Sequence, residues 1–313
     1  MKLALTGATG FIGAALLPRL ISAGWRIRAL YRPRAGRNPP EVPGVEWLPG
    51  DLADEKALTA LVAGTAAVIH CAGAVRGASR VDFDRINADG ARRIAQAAAS
   101  QMESPRFLLI SSLAARMPGL SDYAGSKWRG ECAVMESCSD MRWTILRPPA
   151  VYGPGDRELL PLFRCMARGY APLPARAGGR FSLIYIDDLV AAVMRWLAAD
   201  AGHGQIFELD DGRTGGYDWN SVLHIAGRAL RGGAQVRRVP VPVTLLKLVA
   251  GGNLVAGRLL GYAPMLTPGK VRELTHPDWL CDNEKFRIVT GWRPEFELEQ
   301  GLLRTLGRNS IGP

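Results

Sequence analysis

The sequence is poor in the two residue types that most often bind metals. Five cysteines and four histidines are scattered over 313 residues. These residues are Cys71, Cys132, Cys138, Cys165, Cys281, His70, His203, His224 and His276. No pair of them has the spacing of metal ligands, so we predict no metal site. An odd number of dispersed cysteines in a chain of this length indicates reduced thiols, which predicts a cytoplasmic protein.

Internal repeats, low-complexity stretches and long uninterrupted apolar runs are also lacking. The absence of a repeat excludes solenoids and propellers. The apolar run at residues 1–5 is too short for the core of a secretory signal. The longest apolar region, residues 239–266, is interrupted by Lys247, Asn253, Arg258 and three prolines. We therefore expect that it does not cross a bilayer as one continuous apolar helix.

The middle of this region, residues 241–260, allows two interpretations. One is a helix that packs in the core and is broken at Gly251 and Gly252. The other is a segment at a lipid interface, or a groove for an acyl chain, with Arg237 and Arg238 at the lipid headgroups. The second interpretation predicts a peripheral position at the inner membrane surface.

Acidic residues are outnumbered, because 39 lysines and arginines stand against 29 aspartates and glutamates, a formal net charge of +10. We expect a basic surface together with a site for a cofactor phosphate. Contact with an anionic membrane is the alternative. Nucleic acid is not an expected partner, because the arginines are dispersed and no nucleic-acid-binding motif is present.

Strand and helix patterns alternate along the first half of the chain, which is typical of a parallel sheet covered by helices on both faces. The predicted strands are residues 2–6, 26–31, 45–48, 67–70, 106–111 and 143–146. The predicted helices are residues 11–22, 54–62, 83–101 and 122–135. The sequence therefore predicts an α/β fold with a doubly wound parallel sheet, a Rossmann fold.

The alternation becomes looser after Pro148 and Pro149. Later predicted elements are helices at 158–168 and 187–198 and strands at 183–186 and 205–209. We predict a dinucleotide-binding domain at residues 1–155, to which residues of about 181–210 return. Residues 156–313 are predicted to form mostly a smaller α+β lobe for the substrate.

A glycine-rich turn joins the first predicted strand to the first predicted helix. It reads Thr6-Gly7-Ala8-Thr9-Gly10-Phe11-Ile12-Gly13. Gly7 permits a tight turn, Gly10 lets the main chain approach a pyrophosphate, and Gly13 lets the helix pack closely. The N–H groups and the dipole of the helix N-terminus favour phosphates. The pattern predicts a dinucleotide site formed by Gly7, Thr9, Gly10, Phe11, Ile12 and Gly13.

The end of the second predicted strand bears on which dinucleotide binds. NAD-specific sites usually carry an Asp or Glu there, which hydrogen-bonds the ribose 2′-OH. Here Arg32 stands at that position, Arg34 follows, and no acid is present. A guanidinium pairs well with a 2′-phosphate. We predict NADP(H) as the favoured cofactor, with NAD(H) as the alternative if the two arginines are merely solvated.

Three short motifs carry a resemblance to a known family. They are the glycine-rich turn, Gly50-Asp51-Leu52 after the third strand, and His70-Cys71-Ala72-Gly73 after the fourth. With them the sequence resembles the extended and atypical short-chain dehydrogenases/reductases, also described as the NAD-dependent epimerase/dehydratase family. The resemblance implies that Asp51 and Leu52 approach the adenine and that Ala72 lies along the cofactor. We interpret His70 as a packed residue rather than a base.

Further runs match the same family. Asn87 corresponds to an asparagine on the helix behind the active site, where it orders that helix or a water. Residues 147–154 resemble the loop after the sixth strand, which implies that Pro148 lies beside the carboxamide end of the nicotinamide. Asp187 and Asp188 match a structural motif in which the carboxylates cap a helix.

A tyrosine and a lysine stand four residues apart near the start of the helix predicted at 122–135. This spacing puts the side chains of Tyr123 and Lys127 on one helix face, one turn apart. The pKa of a tyrosine is ordinarily about 10, and a nearby ammonium and an oxidised nicotinamide ring favour its phenolate. The pattern predicts that Tyr123 transfers a proton and that Lys127 assists it and holds the nicotinamide ribose.

Ser111 and Ser112 end the preceding strand, and strand ends in such sheets point into the ligand crevice. The serine or threonine that the family uses corresponds to Ser112. The resemblance implies that Ser112 orients the substrate oxygen while Tyr123 protonates it during reduction. Oxidation follows the same path in reverse.

Two departures from the family pattern concern the substrate. Members that act on nucleotide sugars usually have an asparagine where this sequence has Ala150. They also usually have an arginine in register with Phe181, whereas here Arg180 is one residue away and compensates only if the loop shifts. Together with the apolar residues 241–260, these departures favour a small, lipid-like ketone or secondary alcohol, of the sphingoid, ceramide or hydroxysteroid type. The predicted function is hydride transfer between a nicotinamide and this substrate.

Two other functions stay open. One is a nucleotide-sugar epimerase or dehydratase that retains NAD. The other is a non-catalytic cofactor-binding module, similar to the short-chain-type accessory subunit of respiratory complex I, although those relatives often lack the tyrosine or the lysine. By resemblance alone, a homodimer is the expected assembly.

Overall fold

The computed structural model describes residues 1–33, 39–138, 140–175 and 178–307. The chain forms two compact units. The first comprises Met1–Arg147 and Val193–Phe207, and the second comprises Pro148–Ala192 and Glu208–Pro313. The first unit thus ends a few residues before the predicted boundary at 155, and the segment that returns to it is shorter than the predicted one.

The first unit is built on a parallel sheet. Its strands are β1 (Lys2–Thr6), β2 (Arg26–Tyr31), β3 (Val45–Pro49), β4 (Ala67–His70), β5 (Arg106–Ile110) and β6 (Trp143–Arg147). Their order across the sheet is β3-β2-β1-β4-β5-β6, and the pairings between these neighbours are parallel. A later strand, Gln205–Glu208, extends the sheet beyond β6 to seven strands. The central strands β4 and β5 are buried along their whole length, as expected of a sheet covered on both faces.

The sheet is flanked by helices that follow its strands. They are α1 (Phe11–Ser22), α2 (Glu55–Val62), α3 (Arg80–Asn87), α4 (Asp89–Ala99) and α5 (Asp122–Ser137). A short 3₁₀ helix, Leu113–Arg116, precedes α5. The side chains of Asp54, Ser79 and Ser121 accept main-chain N–H groups at the starts of α2, α3 and α5. The predicted doubly wound Rossmann fold is confirmed.

The prediction of a single helix at residues 83–101 is wrong in one respect, because the structure divides this segment into two helices at Ala88. The main chain of Ala88 has φ −100° and ψ −59°, and separates α3 from α4. The carbonyl of Asn87 lies against α5, where a Cβ on Gly130 would be 2.2 Å from its oxygen. The division therefore depends on a tertiary contact that the alanine-rich pattern does not contain.

The second unit contains three two-stranded parallel sheets. They pair β7 (Ala150–Tyr152) with β10 (Leu183–Tyr185), β8 (Tyr170–Pro174) with β12 (Arg237–Val241), and β9 (Arg180–Phe181) with β13 (Asp278–Trp279). In this numbering the strand Gln205–Glu208 is β11. The helices are α6 (Leu160–Ala167), α7 (Ile186–Ala199), α8 (Trp219–Arg231), α9 (Val243–Leu260), α10 (Pro268–Leu274), α11 (Glu284–Thr290) and α12 (Leu298–Thr305). Helix α7 begins in the second unit and ends in the first.

Asp188 connects two distant parts of the second unit. Its carboxylate accepts the main-chain N–H groups of Glu295 at 2.8 Å and Phe296 at 3.1 Å. Its carbonyl accepts the indole N–H of Trp292 at 3.2 Å. The sequence predicts that Asp188 caps a helix, whereas its carboxylate bonds a segment of the chain more than a hundred residues away.

Helix α9 shows that the interpretation of residues 241–260 as a broken helix in the core is wrong on two points. It runs without a break through Gly251 and Gly252, which cost a helix about 1 kcal/mol each relative to alanine and do not end it. It is also not packed in the core, because only Ala250 and Gly257 on it are buried. By length and composition alone it is long and apolar enough to cross a membrane, contrary to the prediction for residues 239–266.

Candidate active site

The order of the strands reverses between β1 and β4, since β2 and β3 extend from one side of this pair and β5 and β6 from the other. In parallel sheets of this kind, ligands bind at the carboxyl ends of the strands where the order reverses. The glycine-rich turn follows β1 at this place, and Cys71 and Ala72 follow β4. The sheet therefore presents both predicted cofactor segments at its ligand-binding edge.

Two glycines of the turn allow approaches that a side chain would prevent. A Cβ on Gly7 would lie 2.6 Å from the nitrogen of Ala72, and the φ of Gly7 is +72°. A Cβ on Gly13 would lie 2.1 Å from the Gly7 oxygen, so helix α1 packs directly on the turn. The nitrogen of Ala72 also donates to the hydroxyl of Thr6 at 3.3 Å. The structure thus brings Gly7, Gly13 and Ala72 together.

The N-terminus of α1 has the properties of a phosphate site. Its N-cap is Gly10, which has no side chain to bond the first-turn N–H groups, and that turn has no acidic residue. A Cβ on Gly10 would meet only the Gly7 oxygen, at 3.2 Å, and Thr9 and Gly10 are exposed. The open approach and the uncapped N–H groups fit a dinucleotide pyrophosphate, which Gly10, Phe11 and Ile12 would hold.

The other residues predicted to bind the cofactor differ in exposure and in their contacts. Arg32 is exposed directly after β2, and Arg34 lies outside the described residues. Asp51 is exposed, and its carboxylate accepts a main-chain N–H two residues on at 2.7 Å. Leu52 packs against α4. Pro148 is buried, directly follows β6 and is the first residue of the second unit.

His70 is buried at the end of β4, where its Nδ1 lies 2.6 Å from the Thr6 hydroxyl. Burial, with a smaller contribution from the Lys127 ammonium, lowers the pKa of His70 to about 3. The imidazole is therefore neutral near pH 7 and is held as a packed side chain. Within the described ranges, no group of three or more metal-binding side chains is brought together.

Helix α5 positions the predicted proton-transfer pair. Tyr123 lies in its first turn, half-buried, with its ring edge-on to Phe83 at a centroid distance of 6.0 Å. Lys127 lies one turn later and is buried. Its Nζ donates to the main-chain oxygen of Ile110, the last residue of β5, at 2.9 Å. This bond fixes the ammonium at the carboxyl end of a central strand.

Burial lowers the pKa of Lys127 from 10.5 to about 8, and the Glu131 carboxylate opposes part of that shift. The ammonium is the main form at neutral pH, because about 8 lies above 7. A charge on a buried ammonium is poorly screened by water and favours an anion nearby. Lys127 therefore carries a positive charge at neutral pH, one helical turn after Tyr123.

The two serines after β5 have different partners. Ser111 is buried, and its hydroxyl donates to Glu131 at 2.5 Å. Ser112 is half-buried, and its hydroxyl oxygen accepts the N–H of Ala114 at 3.2 Å as the cap of the 3₁₀ helix. An oxygen that accepts in this way keeps its own proton for donation. Ser112 is thus better suited than Ser111 to bind a substrate oxygen, and its 3₁₀ helix packs against α5.

Glu131 is a site-supporting residue that the sequence analysis missed. It is buried and accepts from Arg147, with Nε at 2.9 Å and Nη2 at 2.5 Å, as well as from Ser111. This carboxylate joins the ends of β5 and β6 to α5. A signal existed, because Glu131 stands four residues after Lys127 and thus on the same helix face.

Asn87 connects α3, α5 and the loop after β4. Its side chain exchanges two hydrogen bonds with the main chain of Ala74, at 2.8 and 2.9 Å. Its amide nitrogen also donates to the Ser126 hydroxyl at 2.8 Å, and that hydroxyl donates to the carbonyl of Tyr123 at 2.7 Å. Asn87 therefore supports the first turn of α5, a different helix from its own, whereas the resemblance implies that it orders its own helix or a water.

The second unit gives Arg180 a structural task. Its guanidinium donates to the main-chain oxygen of Gly215 at 2.5 Å. Phe181 packs against Trp219 at a centroid distance of 4.8 Å. Arg180 is thus exposed but bonded within its own unit, Phe181 carries no charge, and Ala150, in β7, has no side-chain amide.

The profile of the NAD dependent epimerase/dehydratase family matches residues 3–209 of the chain. The chain is 37% identical over 315 residues to a protein of Caulobacter vibrioides (strain NA1000 / CB15N) named ceramide reductase, covering 97% of this chain and 92% of that protein. Two solved structures share the fold. One is a UDP-glucose 4-epimerase with UDP-glucose from Thermotoga maritima, at TM-score 0.75 and 18% identity over 98% of both chains.

The other is MoeE5 in complex with UDP-glucuronic acid and NAD, at TM-score 0.75 and 18% identity, again over 98% of both chains. At these identities the two structures show the fold alone. The family profile covers well over half of the chain, and the Caulobacter relative extends along nearly all of it. The chain belongs to the NAD-dependent epimerase/dehydratase family.

Proposed function

We propose that the protein is an oxidoreductase that interconverts a ketone and a secondary alcohol with a nicotinamide dinucleotide. The observation that carries the proposal is the buried Lys127, bonded to the end of β5 and one helical turn from Tyr123. A bound nicotinamide dinucleotide supplies or accepts the hydride. The chain itself must then move one proton at the substrate oxygen.

Tyr123 is the group proposed to move that proton. In reduction its hydroxyl donates to the substrate oxygen, and the resulting phenolate is stabilised by the Lys127 ammonium. The Ser112 hydroxyl donates a second hydrogen bond to the same oxygen and orients it. In oxidation the phenolate takes the alcohol proton, and the same ammonium favours the phenolate that must be present at the start.

A lipid-like ketone is the proposed substrate class. The Caulobacter relative named ceramide reductase supports this class, because the two chains match along nearly their whole lengths. Phe181 further supports it, since an uncharged ring packed against Trp219 stands where nucleotide-sugar enzymes of the family usually have an arginine. The sphingoid and ceramide ketones are the members of this class that we favour over hydroxysteroids.

NADP(H) is the proposed dinucleotide. The exposed Arg32 after β2 supports it, because the position carries a cation rather than the acid that bonds a ribose 2′-OH. NAD(H), which the family name contains, is the alternative for this chain.

The test is a cofactor-consumption assay with NADPH and with NADH across ketones of increasing chain length. We expect oxidation of NADPH that becomes more efficient as the chain lengthens. Release of tightly held NAD from the purified protein, with no net consumption, would instead indicate an epimerase or dehydratase. Binding of a dinucleotide without turnover of any ketone, and copurification with a membrane complex, would indicate an accessory module.

A further inference from the structure

Helix α9 carries a stripe of apolar side chains that are exposed to solvent. The exposed fractions are 49% for Leu245, 73% for Leu248, 51% for Val249, 55% for Val255, 79% for Leu259 and 77% for Leu260. With 3.6 residues per turn these six positions fall within an arc of about 140° around the helix axis, so they share one face of the helix. Such a face normally packs on a core, whereas here it points away from one. Large exposed apolar patches mark interaction sites.

The opposite face of α9 is attached to the second unit. Ala250 and Gly257 are buried there, and a Cβ on Gly257 would lie 2.9 Å from the ring of Pro264. Asn253 on α9 donates to the carbonyl of Leu266 at 2.9 Å. One side of α9 is covered by the protein itself. A lipid or another partner can therefore reach only the apolar stripe. A partner is therefore contacted from the side, along the length of the helix.

Other exposed apolar side chains stand on the neighbouring segments of the same unit. Val239 on β12, Tyr262 after α9 and Leu274 on α10 are 40%, 41% and 42% exposed. Tyr262 combines a ring with a hydroxyl, which bonds the Asn253 side chain at 2.6 Å. Residues of this type favour the boundary between water and lipid. We call the α9 stripe together with Tyr262, which this bond to Asn253 holds against α9, the apolar docking surface.

The positive charge of the chain around α9 indicates which kind of partner fits this surface. Between Trp219 and Arg272 the sequence has eight arginines and lysines and no aspartate or glutamate, and the next residue, Glu273, is buried and paired with Lys270 at 2.8 Å. Arg237, Lys247 and Arg258 on β12 and α9, and Arg272 on α10, are all exposed. Cations beside an apolar helix face attract anionic lipid headgroups, at about 1 kcal/mol for each charge near the surface.

A second copy of the chain suits this surface less well. A twofold interface places the same patch against itself, and here it would bring the exposed cations of one copy against those of the other. A bilayer offers an anionic headgroup layer for the cations and an apolar layer for the exposed side chains of α9. We propose that the apolar docking surface binds an anionic lipid bilayer, with α9 lying in the plane of the membrane. This proposal goes beyond the proposed reaction and does not depend on it.

The experiment measures binding of the purified full chain to vesicles of phosphatidylcholine with and without phosphatidylglycerol. We expect binding at least about tenfold stronger to the anionic vesicles. Raising the salt from about 0.1 M to about 1 M shortens the screening length from about 10 Å to about 3 Å and should weaken binding. The double variant Leu248→Glu, Leu259→Glu should bind at least about tenfold less than wild type.

The matched control is Ile288→Glu with Met102→Glu, which adds the same two charges at side chains 70% and 105% exposed outside the surface. It should bind as wild type does. The proposal is overturned if the two double variants bind equally, or if phosphatidylglycerol makes no difference. It is also overturned if light scattering shows a dimer that Leu248→Glu, Leu259→Glu dissociates while lipid binding is absent.

Two further measurements separate this proposal from the proposed reaction. Tyr123→Phe should bind anionic vesicles as wild type does. Leu248→Glu, Leu259→Glu should retain wild-type turnover of a soluble short-chain ketone and a wild-type melting temperature, because both leucines are exposed. Loss of vesicle binding in Tyr123→Phe, or unfolding of the double variant, would contradict an independent surface.

Discussion

Lys127 and Ile110 are joined by a hydrogen bond of 2.9 Å between the ammonium and the last main-chain oxygen of β5. The bond has two effects. It provides one partner for a charge that is buried, and it places the charge where the carboxyl end of a central strand meets α5. The pKa of Lys127 nevertheless falls to about 8, because loss of hydration is the largest contribution.

This lowered pKa predicts how stability depends on pH. The folded protein gives up the Lys127 proton near pH 8, whereas the unfolded chain keeps it to about pH 10.5. Between these values the unfolded state binds more protons, so folding stability rises with pH; below pH 8 the full cost of burying the charge is present. The free energy of unfolding of wild type relative to Lys127→Met should therefore increase by about 2–3 kcal/mol between pH 7 and pH 10.

Urea unfolding of both proteins at the two pH values checks this prediction. Comparing wild type with the variant removes from the difference the titration of groups that do not interact with Lys127. A difference that stays constant with pH would show that the pKa of Lys127 is unchanged on folding.

Replacement of Tyr123 by phenylalanine tests the proton step. The ring contact with Phe83 is kept, but the group that protonates the substrate oxygen is lost. Turnover should fall by about 10²–10⁴-fold, the usual contribution of an acid or base. Dinucleotide affinity should stay within several-fold of wild type, as measured by fluorescence titration. Tyr170→Phe, which removes a hydroxyl from a tyrosine of the second unit, should leave turnover unchanged; equal activity of both variants would exclude Tyr123 from the reaction.

Much of the first unit could be predicted because local signals and tertiary packing agree there. The observed bounds of β1, α1, β2 and β4 equal the predicted ones, since glycine-rich turns separate short apolar strands from a helix-period pattern. The division at Ala88 could not be predicted, because it depends on the contact between Asn87 and Gly130. That contact joins residues far apart in the sequence.

The position of α9 shows a different limit. An apolar stripe at helical spacing predicts that one face is covered, but not by what. The sequence interpretation as a core helix assumed cover from the same chain, and the break at Gly251 and Gly252 assumed that helix propensity outweighs packing. The site has the same limit, because Tyr123 and Lys127 are related by local spacing while the Ser111–Glu131–Arg147 contacts need the sheet to bring three elements together.

Removal of the Glu131 charge should destabilise the protein. Glu131→Ala leaves the guanidinium of Arg147, whose side chain is 17% exposed, without its carboxylate, and breaking one partner of a buried pair costs about 3–5 kcal/mol. Glu131→Gln should cost less, since an amide oxygen still accepts one hydrogen bond. Glu136→Ala, at an exposed position of the same helix, should change the free energy of unfolding by less than about 0.5 kcal/mol. Similar values for Glu131→Ala and Glu136→Ala would show that the buried contact adds nothing.

Two glycines of the turn should separate folding from cofactor binding. Gly13→Ala places a methyl group 2.1 Å from the Gly7 oxygen, so both the melting temperature and dinucleotide affinity should fall. Gly10→Ala meets only one atom, at 3.2 Å, so the fold should persist while the methyl group obstructs the pyrophosphate. Calorimetry and dinucleotide titration measure the two effects. Gly119→Ala, where a Cβ would meet nothing within 4 Å, is the control, and wild-type affinity in Gly10→Ala would place the pyrophosphate elsewhere.

Arg32→Asp exchanges the cation after β2 for the acid that NAD-specific sites carry. A charge-assisted hydrogen bond to a phosphate contributes about 1.5–3 kcal/mol, so the affinity for NADPH should fall about tenfold to a hundredfold. The affinity for NADH should stay the same or rise, because the new carboxylate accepts from a ribose 2′-OH. Arg85→Asp, an exposed arginine on α3, makes the same change in net charge and should leave the ratio of the two affinities unaltered. If Arg32→Asp also leaves that ratio unaltered, Arg32 does not contact the 2′ position, and the preference for NADP(H) has lost its physical basis.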